Sequence, residues 1–192
     1  MAHGFVRIGD ELETRLEPIE RVMIRDLLDE LCELLTNDGD IDLEDQDPLA
    51  RQLGLGDLAD GEVDAPEDPV LNRLLPDGYR NDPIAASEFR HYTDGALRRG
   101  KIEDAEIIRA GLDRADGDPD GAVTVTLQAA SAWLRSINDL RLALGVQLEI
   151  TPESAEELAD LPDDDPRATM AAMYDFLTWW QDSLVRVLLA DS

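Results

Sequence analysis

Hydrophobic side chains recur every three to four residues along several stretches of the chain, which is the spacing of one face of an α-helix. The first stretch predicts a helix from Pro18 to about Leu35. A proline in its first turn and a capping-box pattern, Thr14-x-x-Glu17, mark its start. Its hydrophobic face consists of Ile24, Leu28, Leu31, Cys32 and Leu35.

The same periodicity continues in the second half of the chain. It predicts a helix from Pro83 to about Ala115, interrupted near Thr93 to Gly95. A second helix is predicted from about Gln128 to Leu144, with Gly145 as its C-terminal cap. The last predicted helix runs from Pro166 to about Ala190 and is the most hydrophobic of the three.

Shorter elements are predicted between these helices. Proline directly after an aspartate is a good helix opener, so short helices are expected after Asp47-Pro48 and Asp68-Pro69. Phe5 to Leu16 alternates weakly around Gly9-Asp10, as in a short hairpin, and Val123 to Leu127 reads as extended. The pattern predicts an all-α fold, a compact bundle of about five to seven helices with a minor two- or three-stranded β element. We expect a single domain spanning residues 1–192.

The net charge of the chain indicates which kinds of partner its surface can bind. The chain has 44 acidic and 17 basic residues, which gives a net charge of −27. Two acidic loops carry much of the excess: residues 37–68 hold 12 acidic side chains and one arginine, and residues 148–166 hold eight acidic side chains and no basic one. Because nucleic acids and anionic membranes are also negative, we expect neither as a partner. A protein partner with a basic surface is expected instead, since complementary charge speeds association.

Cysteine usage and the N-terminus indicate the compartment. The N-terminus lacks a basic region followed by an apolar core, and no apolar run approaches the roughly 18 residues of a transmembrane helix, which predicts a cytoplasmic protein. Cys32 is the sole cysteine, so no disulfide can form within the chain. A thiol among leucines is usually a small core hydrophobe with a raised pKa; a redox thiol is the alternative. The nearby carboxylates of Asp29 and Glu33 disfavour the thiolate.

Other short motifs lack the residues that a calcium, dinucleotide or histidine metal site requires. Asp38-Gly-Asp-Ile-Asp42 resembles the first half of a calcium loop, but the glycine and the final glutamate of such a loop are both replaced by leucine. Gly54-Leu-Gly56 follows no convincing strand and lies in an acidic stretch that would repel a pyrophosphate. His3 and His91 fall in different regions and belong to no metal-binding spacing. We therefore expect no catalytic residue, no metal and no cofactor.

Polar residues in otherwise hydrophobic helices form one candidate site. Several of them fall within the predicted helix that ends near Gly145, and others come from segments that could pack nearby. The functional alternative is a ligand pocket built around arginine. The structural alternative, which we favour, is a buried network of ion pairs and hydrogen bonds that joins two helices. The candidate residues are Tyr79, Asp82, Arg90, Asn138, Asp139 and Arg141.

The last predicted helix carries an aromatic stripe that is a candidate interface. Its main hydrophobic face consists of Met170, Met173, Leu177, Trp180, Leu184 and Val187, and Phe176 and Trp179 widen that face. A core helix and a homodimer face both remain open, because tryptophan is enriched in cores and at interfaces alike. The interface candidates are Phe176, Trp179 and Trp180.

Two strings of residues carry a family resemblance. Residues 75–90 read LPDGYRNDPIAASEFR, and residues 133–145 read WLRSINDLRLALG. They resemble the actinobacterial AosR family of oxidative stress regulators, which is typically encoded beside the Clp protease adaptor ClpS. The resemblance implies a non-enzymatic intracellular regulator that responds to oxidants through a cysteine pair and influences transcription by contacting an alternative sigma factor. Since this chain has Cys32 alone, only a mixed or intermolecular disulfide is open to it.

Two classes of function follow. The first is a regulatory protein that acts through protein contacts, by resemblance with a sigma factor or polymerase whose basic surface meets the acidic one. The alternative is a small-ligand-binding protein or enzyme with a pocket near Arg90, Asp139 and Arg141. A further alternative, suggested only by the family's gene neighbourhood, is an adaptor in Clp proteolysis.

Overall fold

The computed structural model describes residues 3–37, 64–79, 81–118, 120–151, 154, 158, 161–162 and 164–190. Within these ranges, five helices and a small antiparallel sheet make up the fold. The helices are α1 (Pro18–Asn37), α2 (Pro69–Leu74), α3 (Pro83–Ala115), α4 (Leu127–Gln147) and α5 (Ala168–Leu189), and the strands are β1 (His3–Ile8), β2 (Glu11–Arg15) and β3 (Ala122–Thr126). The predicted helical fold with a minor β element is confirmed here, although the sheet supplies part of the core.

The sheet has the strand order β1-β2-β3, and both pairs are antiparallel. Gly9 has a φ of 63°, which lets the chain turn tightly between β1 and β2. The hairpin predicted around Gly9-Asp10 is therefore confirmed, as is the extended segment that forms β3. One face of the sheet closes the core with the buried side chains of Phe5, Leu12, Thr14, Val123 and Val125.

Two helices begin where the Asp-Pro pairs predict. The carboxylate of Asp68 accepts hydrogen bonds from the backbone N–H groups of Val70 (2.7 Å) and Leu71 (3.0 Å) at the start of α2. Asp82 accepts one from the N–H of Ala85 (3.1 Å) at the start of α3. These carboxylates satisfy N–H groups that have no partner within the helix, so the local sequence sets both helix starts.

The capping box predicted ahead of α1 is wrong. Thr14 lies in β2, where its hydroxyl donates to the carbonyl of His3 (2.7 Å) and accepts from the indole N–H of Trp180 (3.0 Å). At the start of α1 it is the Glu20 carboxylate that accepts a hydrogen bond, from the N–H of Glu17 (2.7 Å). The hydroxyl of Thr14 is unavailable as a cap because the sheet turns it into the core.

α3 runs unbroken for 33 residues, so the interruption predicted near Thr93 to Gly95 is wrong. The hydroxyl of Thr93 donates to the carbonyl of Phe89 (2.7 Å) and is thereby satisfied inside the helix. Packing of α3 against α1 and α4 then outweighs the weak helix propensity of glycine.

α4 also extends past its predicted end, and Gly145 lies inside its last turn. The left-handed position falls instead on Glu149, which has a φ of 52°. The N–H of Ile150 donates to the carbonyl of Gly145 (2.9 Å), and the N–H of Glu149 donates to that of Val146 (3.0 Å). These two bonds form a Schellman motif, in which a glutamate occupies the position that usually holds glycine.

The centre of the core is an aromatic cluster, which we call the aromatic core and which consists of Phe5, Trp133, Phe176 and Trp180. The ring of Trp180 lies 5.4 Å from that of Phe5 and 5.7 Å from that of Trp133, measured between centroids. On α3, a Cβ atom at Gly111 would lie 2.6 Å from the Trp133 ring. The absence of a side chain at Gly111 therefore lets α3 and α4 approach closely.

A buried arginine that the sequence did not reveal ties α1 to the end of α3. Arg21 donates to the carboxylate of Asp116 (2.8 Å) and to the carbonyl of Leu16 (2.6 Å). The hydrogen bond from Arg21 is the main reason that the pKa of Asp116 lies below its usual value. Gly121, with a φ of 63°, leaves room for this contact, since a Cβ there would lie 2.7 Å from the guanidinium.

Several predictions fall outside the described residues. These are the calcium-like string at residues 38–42, the Gly54-Leu-Gly56 string, the short helix after Asp47-Pro48, most of the acidic loop 37–68 and part of the acidic loop 148–166.

Candidate functional site

The six polar residues predicted to form one cluster lie in three separate places, the first of them at the start of α3. There Arg90 forms an ion pair with Asp77. The exposed ring of Tyr79 meets Phe89 edge-on, with centroids 6.2 Å apart. Asp82 caps the helix. These contacts involve three of the six candidates, and they hold the start of α3 in place.

Arg141 occupies the second place, between α4 and α5. Its Nε donates to the hydroxyl of Thr178 (2.9 Å), and its Nη1 donates to the side-chain oxygen of Gln181. The guanidinium also lies 5.5 Å from the ring centroid of Tyr174, within the range of a cation–π contact. Arg141 therefore binds α4 to α5 and does not share a pocket with Arg90.

The third place is a charged seam between α3 and α4, formed by Lys101, Asp104, Arg135 and Asp139. The Lys101 ammonium donates to Oδ1 of Asp139 (2.7 Å). One turn away, Arg135 donates through Nε and Nη2 to both oxygens of Asp104, each at 2.7 Å. The two pairs run in opposite order along the two helices, which are therefore antiparallel.

Burial dominates the electrostatics of this charged seam. Asp139 is 5% exposed, and its burial raises the pKa of its carboxyl above the usual value. The hydrogen bond and the charge of Lys101 act in the opposite direction, while the nearby carboxylate of Asp104 adds to the rise. The hydrogen bond and the charge of Lys101 thus favour the ionised form of Asp139 against the cost of its burial.

A groove of about 460 Å³ opens beside the charged seam. Its lining includes Asn138 and Asp139 from α4 and Leu97 and Gly100 from α3. A Cβ atom built at Gly100 would have no atom within 4 Å, so the space above this glycine is open. The volume falls in the range of small-molecule sites, roughly 300–1,000 Å³.

Sequence reasoning identified Asn138 and Asp139 but missed Lys101, Asp104 and Arg135. A signal was present, because Lys101 is the sole lysine of the chain and lies one helical turn before Asp104. The alignment of α3 against α4, which brings these residues opposite one another, depends on packing that no local pattern encodes.

Cys32 lies half-buried on α1 and packs against the hydrophobic core. Burial is the largest influence on its thiol and raises its pKa. The Arg109 guanidinium lowers the pKa of this thiol, whereas the carboxylates of Glu106 and Asp29 raise it. Only a small part of this thiol is ionised at neutral pH, and the thiolate is the reactive form.

The aromatic stripe of α5 divides between the core and the surface. Trp180 is 0% exposed and belongs to the aromatic core, which Phe176 joins from a partly buried position. Trp179 is 44% exposed. Of the three interface candidates, Trp179 is thus the one whose ring is presented to solvent.

Two kinds of site are absent from the described part of the chain. No group of three or more histidine, cysteine, aspartate or glutamate side chains in it is arranged to hold a metal ion. Nor does any described helix combine the length and apolar character needed to cross a membrane.

Comparison with known proteins places the chain in a family. The model of the family described as "Domain of unknown function (DUF2017)" matches residues 2–188. Proteins named "Oxidative stress regulator AosR" from Mycobacterium tuberculosis and Mycobacterium bovis are each 34% identical over 193 residues, which cover 95% of this chain and 84% of theirs. No solved structure gives a significant match. The resemblance seen in residues 75–90 and 133–145 is thereby confirmed, and the chain belongs to the DUF2017 family, alongside the mycobacterial AosR proteins.

Proposed function

We propose that this chain is a non-enzymatic regulator of the oxidative stress response that acts by contacting a protein partner. The observation that carries the proposal is the 34% identity, across 95% of the chain, to proteins named oxidative stress regulators. The similarity covers nearly the whole chain, so it is not confined to one segment of the fold.

Charge supports a partner with a basic surface. The net charge of −27 produces a field that attracts cationic surfaces and repels nucleic acid. By family resemblance, we propose a sigma factor or another polymerase subunit as that partner. Association driven in this way is fastest at low salt and slows as salt screens the charges.

We place the centre of the contact on the exposed face of α5 around Trp179. Asp175 and Asp182 lie about one turn to either side of Trp179, and both are exposed. An aromatic anchor bordered by acidic side chains suits a partner with an apolar pocket and a basic rim. The same surface is less suited to a homodimer, because two copies would bring like charges together.

The test is binding of the purified chain to purified sigma factors and polymerase subunits over a range of salt concentrations. We expect one of them to bind, more weakly at higher salt, and Trp179→Ala to lower the affinity about tenfold or more. Ile84→Ala is the matched control, since Ile84 is 70% exposed but lies at the start of α3. No binding to any of these proteins, or equal losses in the two variants, would contradict the proposal. Light scattering on the chain by itself tests the homodimer.

Cys32 limits how an oxidant can act on this chain. It is the sole cysteine, so a disulfide needs a second molecule, and its raised pKa disfavours the reactive thiolate. We therefore propose that partner binding does not depend on Cys32. Cys32→Ser should bind the partner as the unaltered chain does, with and without peroxide. A peroxide-dependent change in affinity that this substitution abolishes would instead identify Cys32 as a redox thiol.

Small-ligand binding is a second candidate function, and the groove beside Asp139 is the observation that favours it. Of the three residues around which such a pocket was predicted, Arg90 and Arg141 are engaged elsewhere. The role of an adaptor in Clp proteolysis stays a prediction from the resemblance.

A further inference from the structure

The groove between α3 and α4 has two unlike walls. The α3 wall offers small and apolar surface at Ala96, Leu97 and Gly100, followed by the charged side chains of Lys101, Glu103 and Asp104. Leu97 is exposed there, and the space above Gly100 is empty. The α4 wall is polar throughout and consists of Arg135, Asn138 and Asp139. A ligand lying over Gly100 would therefore meet apolar surface of α3 on one side and polar groups of α4 on the other.

The polar wall holds acceptors that no described residue satisfies. Among the described residues, Lys101 is the only hydrogen-bond donor to Asp139, and it reaches Oδ1. The other oxygen, Oδ2, receives no hydrogen bond from them, although the Asp139 side chain is only 7% exposed. The amide of Asn138 likewise makes no side-chain hydrogen bond within the described part of the chain, and it lines the same groove. The carboxylate oxygen and the amide oxygen can therefore each accept a hydrogen bond from a ligand that lies in the groove.

The charges around the groove do not balance. Lys101 and Arg135 contribute two positive charges, whereas Glu103, Asp104 and Asp139 contribute three negative ones. One further positive charge would neutralise the lining. The field of a chain with a net charge of −27 also concentrates small cations near such a site and excludes anions.

We propose that this groove binds a small organic cation, an amine or guanidinium carried on a short apolar stem. The cationic head donates to Oδ2 of Asp139 and to the side-chain oxygen of Asn138. The stem lies on the α3 wall against Leu97 and over Gly100. This site lies on other helices than Trp179, so it does not depend on the partner contact proposed above.

The probe is phenethylammonium, with phenethyl alcohol as its uncharged counterpart and sodium chloride as the ionic control. Binding is followed by NMR at the backbone amide of Gly100 and the side-chain amide of Asn138. We expect both signals to move along one saturable curve with the amine, and neither to do so with the alcohol or the salt. Chemical-shift changes that do not saturate and that spread over the acidic surface would show only a diffuse cloud of counterions, and they would contradict the proposal. Saturable binding of the alcohol with equal affinity would also contradict it.

Two variants test the geometry, and a third serves as control. Gly100→Leu places a side chain in the empty space and should lower the affinity about tenfold or more, while leaving the helix intact because leucine is a good helix former. Asp139→Asn should produce a similar loss. Gly95→Ala changes a glycine of the same helix that does not line the groove, and it should bind the amine unchanged. Unchanged affinity in Gly100→Leu would contradict the proposal. The result for Asp139→Asn cannot outweigh it, because Asp139 also supports the fold and its substitution can lower the affinity indirectly.

Discussion

The antiparallel pair of α3 and α4 has two unlike ends. At one end, Gly111 of α3 lies against the ring of Trp133, and the contact continues into the aromatic core. At the other end, ten residues earlier on α3 and about 15 Å away, Lys101 pairs with Asp139 beside an open groove. The same two helices are thus closed by aromatic packing at one end and held by charge at the other.

Two glycines of α3 show what the difference means. A Cβ at Gly111 would lie 2.6 Å from the Trp133 ring, whereas a Cβ at Gly100 would meet no atom within 4 Å. Gly111 is needed because the space is full; Gly100 lies where space has been left empty. Buried charge lowers stability unless it is paired, and features that cost stability tend to concentrate where proteins bind ligands. The aromatic end stabilises the pair, which allows the charged end to remain open.

The largest loss of stability that we expect is at Trp180 of α5, which belongs to the aromatic core, and its neighbour Trp179 provides the contrast. Trp180→Ala removes a fully buried ring of the aromatic core together with its hydrogen bond to Thr14, and it should lower the free energy of unfolding by about 3–5 kcal/mol. Trp179→Ala removes a half-exposed ring and should change it by only about 0.5 kcal/mol. Guanidinium unfolding followed by circular dichroism measures both. Equal losses in the two variants would mean that α5 does not face the core through Trp180.

The next effect concerns the charged end. Lys101→Met leaves the buried carboxylate of Asp139 without its cation, which should lower the free energy of unfolding by about 3 kcal/mol at neutral pH. Replacing both partners, as Lys101→Met with Asp139→Leu, should recover much of that loss because no buried charge remains. Urea unfolding of the single and double variants measures the difference. If the double variant is no more stable than the single one, the buried charge is not the source of the loss.

The pH dependence of the same variant has a defined sign. Burial raises the pKa of Asp139 in the folded chain above the ordinary value of 3.8, and the loss of Lys101 raises it further. The folded state then binds a proton more tightly than the unfolded state, so stability falls as the pH rises from below 3.8 through the folded pKa. The penalty of Lys101→Met should therefore be larger at neutral pH and shrink under acidic conditions. A penalty that grew on acidification would contradict this origin.

Local chemistry explains what the sequence predicted well in this fold. Asp68 and Asp82 cap α2 and α3 because an aspartate before proline satisfies the first free N–H groups. Gly9 turns the hairpin because glycine tolerates a positive φ. Each of these signals acts within a few residues, so it could be predicted without knowledge of the tertiary structure.

Tertiary placement explains what the sequence could not predict. Thr14 looked like a helix cap, but the sheet directs its hydroxyl to Trp180. Asn138 and Asp139 were identified as candidates, yet their grouping with Arg90 was wrong, because the alignment of α3 against α4 brings Lys101 opposite Asp139 and keeps Arg90 about 16 Å further along the helix. Which polar residues meet is a property of helix packing.

The two glycines offer the smallest and most direct test of the comparison, because one substitution should have opposite effects at the two ends. Gly111→Ala forces a methyl group against the Trp133 ring and should lower the free energy of unfolding by about 1–3 kcal/mol. Gly100→Ala meets no neighbour and replaces a poor helix former with a good one, so it should raise the free energy of unfolding by up to about 1 kcal/mol. Thermal and denaturant unfolding of both variants give the two signs. If Gly100→Ala destabilised the chain as Gly111→Ala does, the helices would be closed at both ends, and the contrast between a packed end and an open one would be lost.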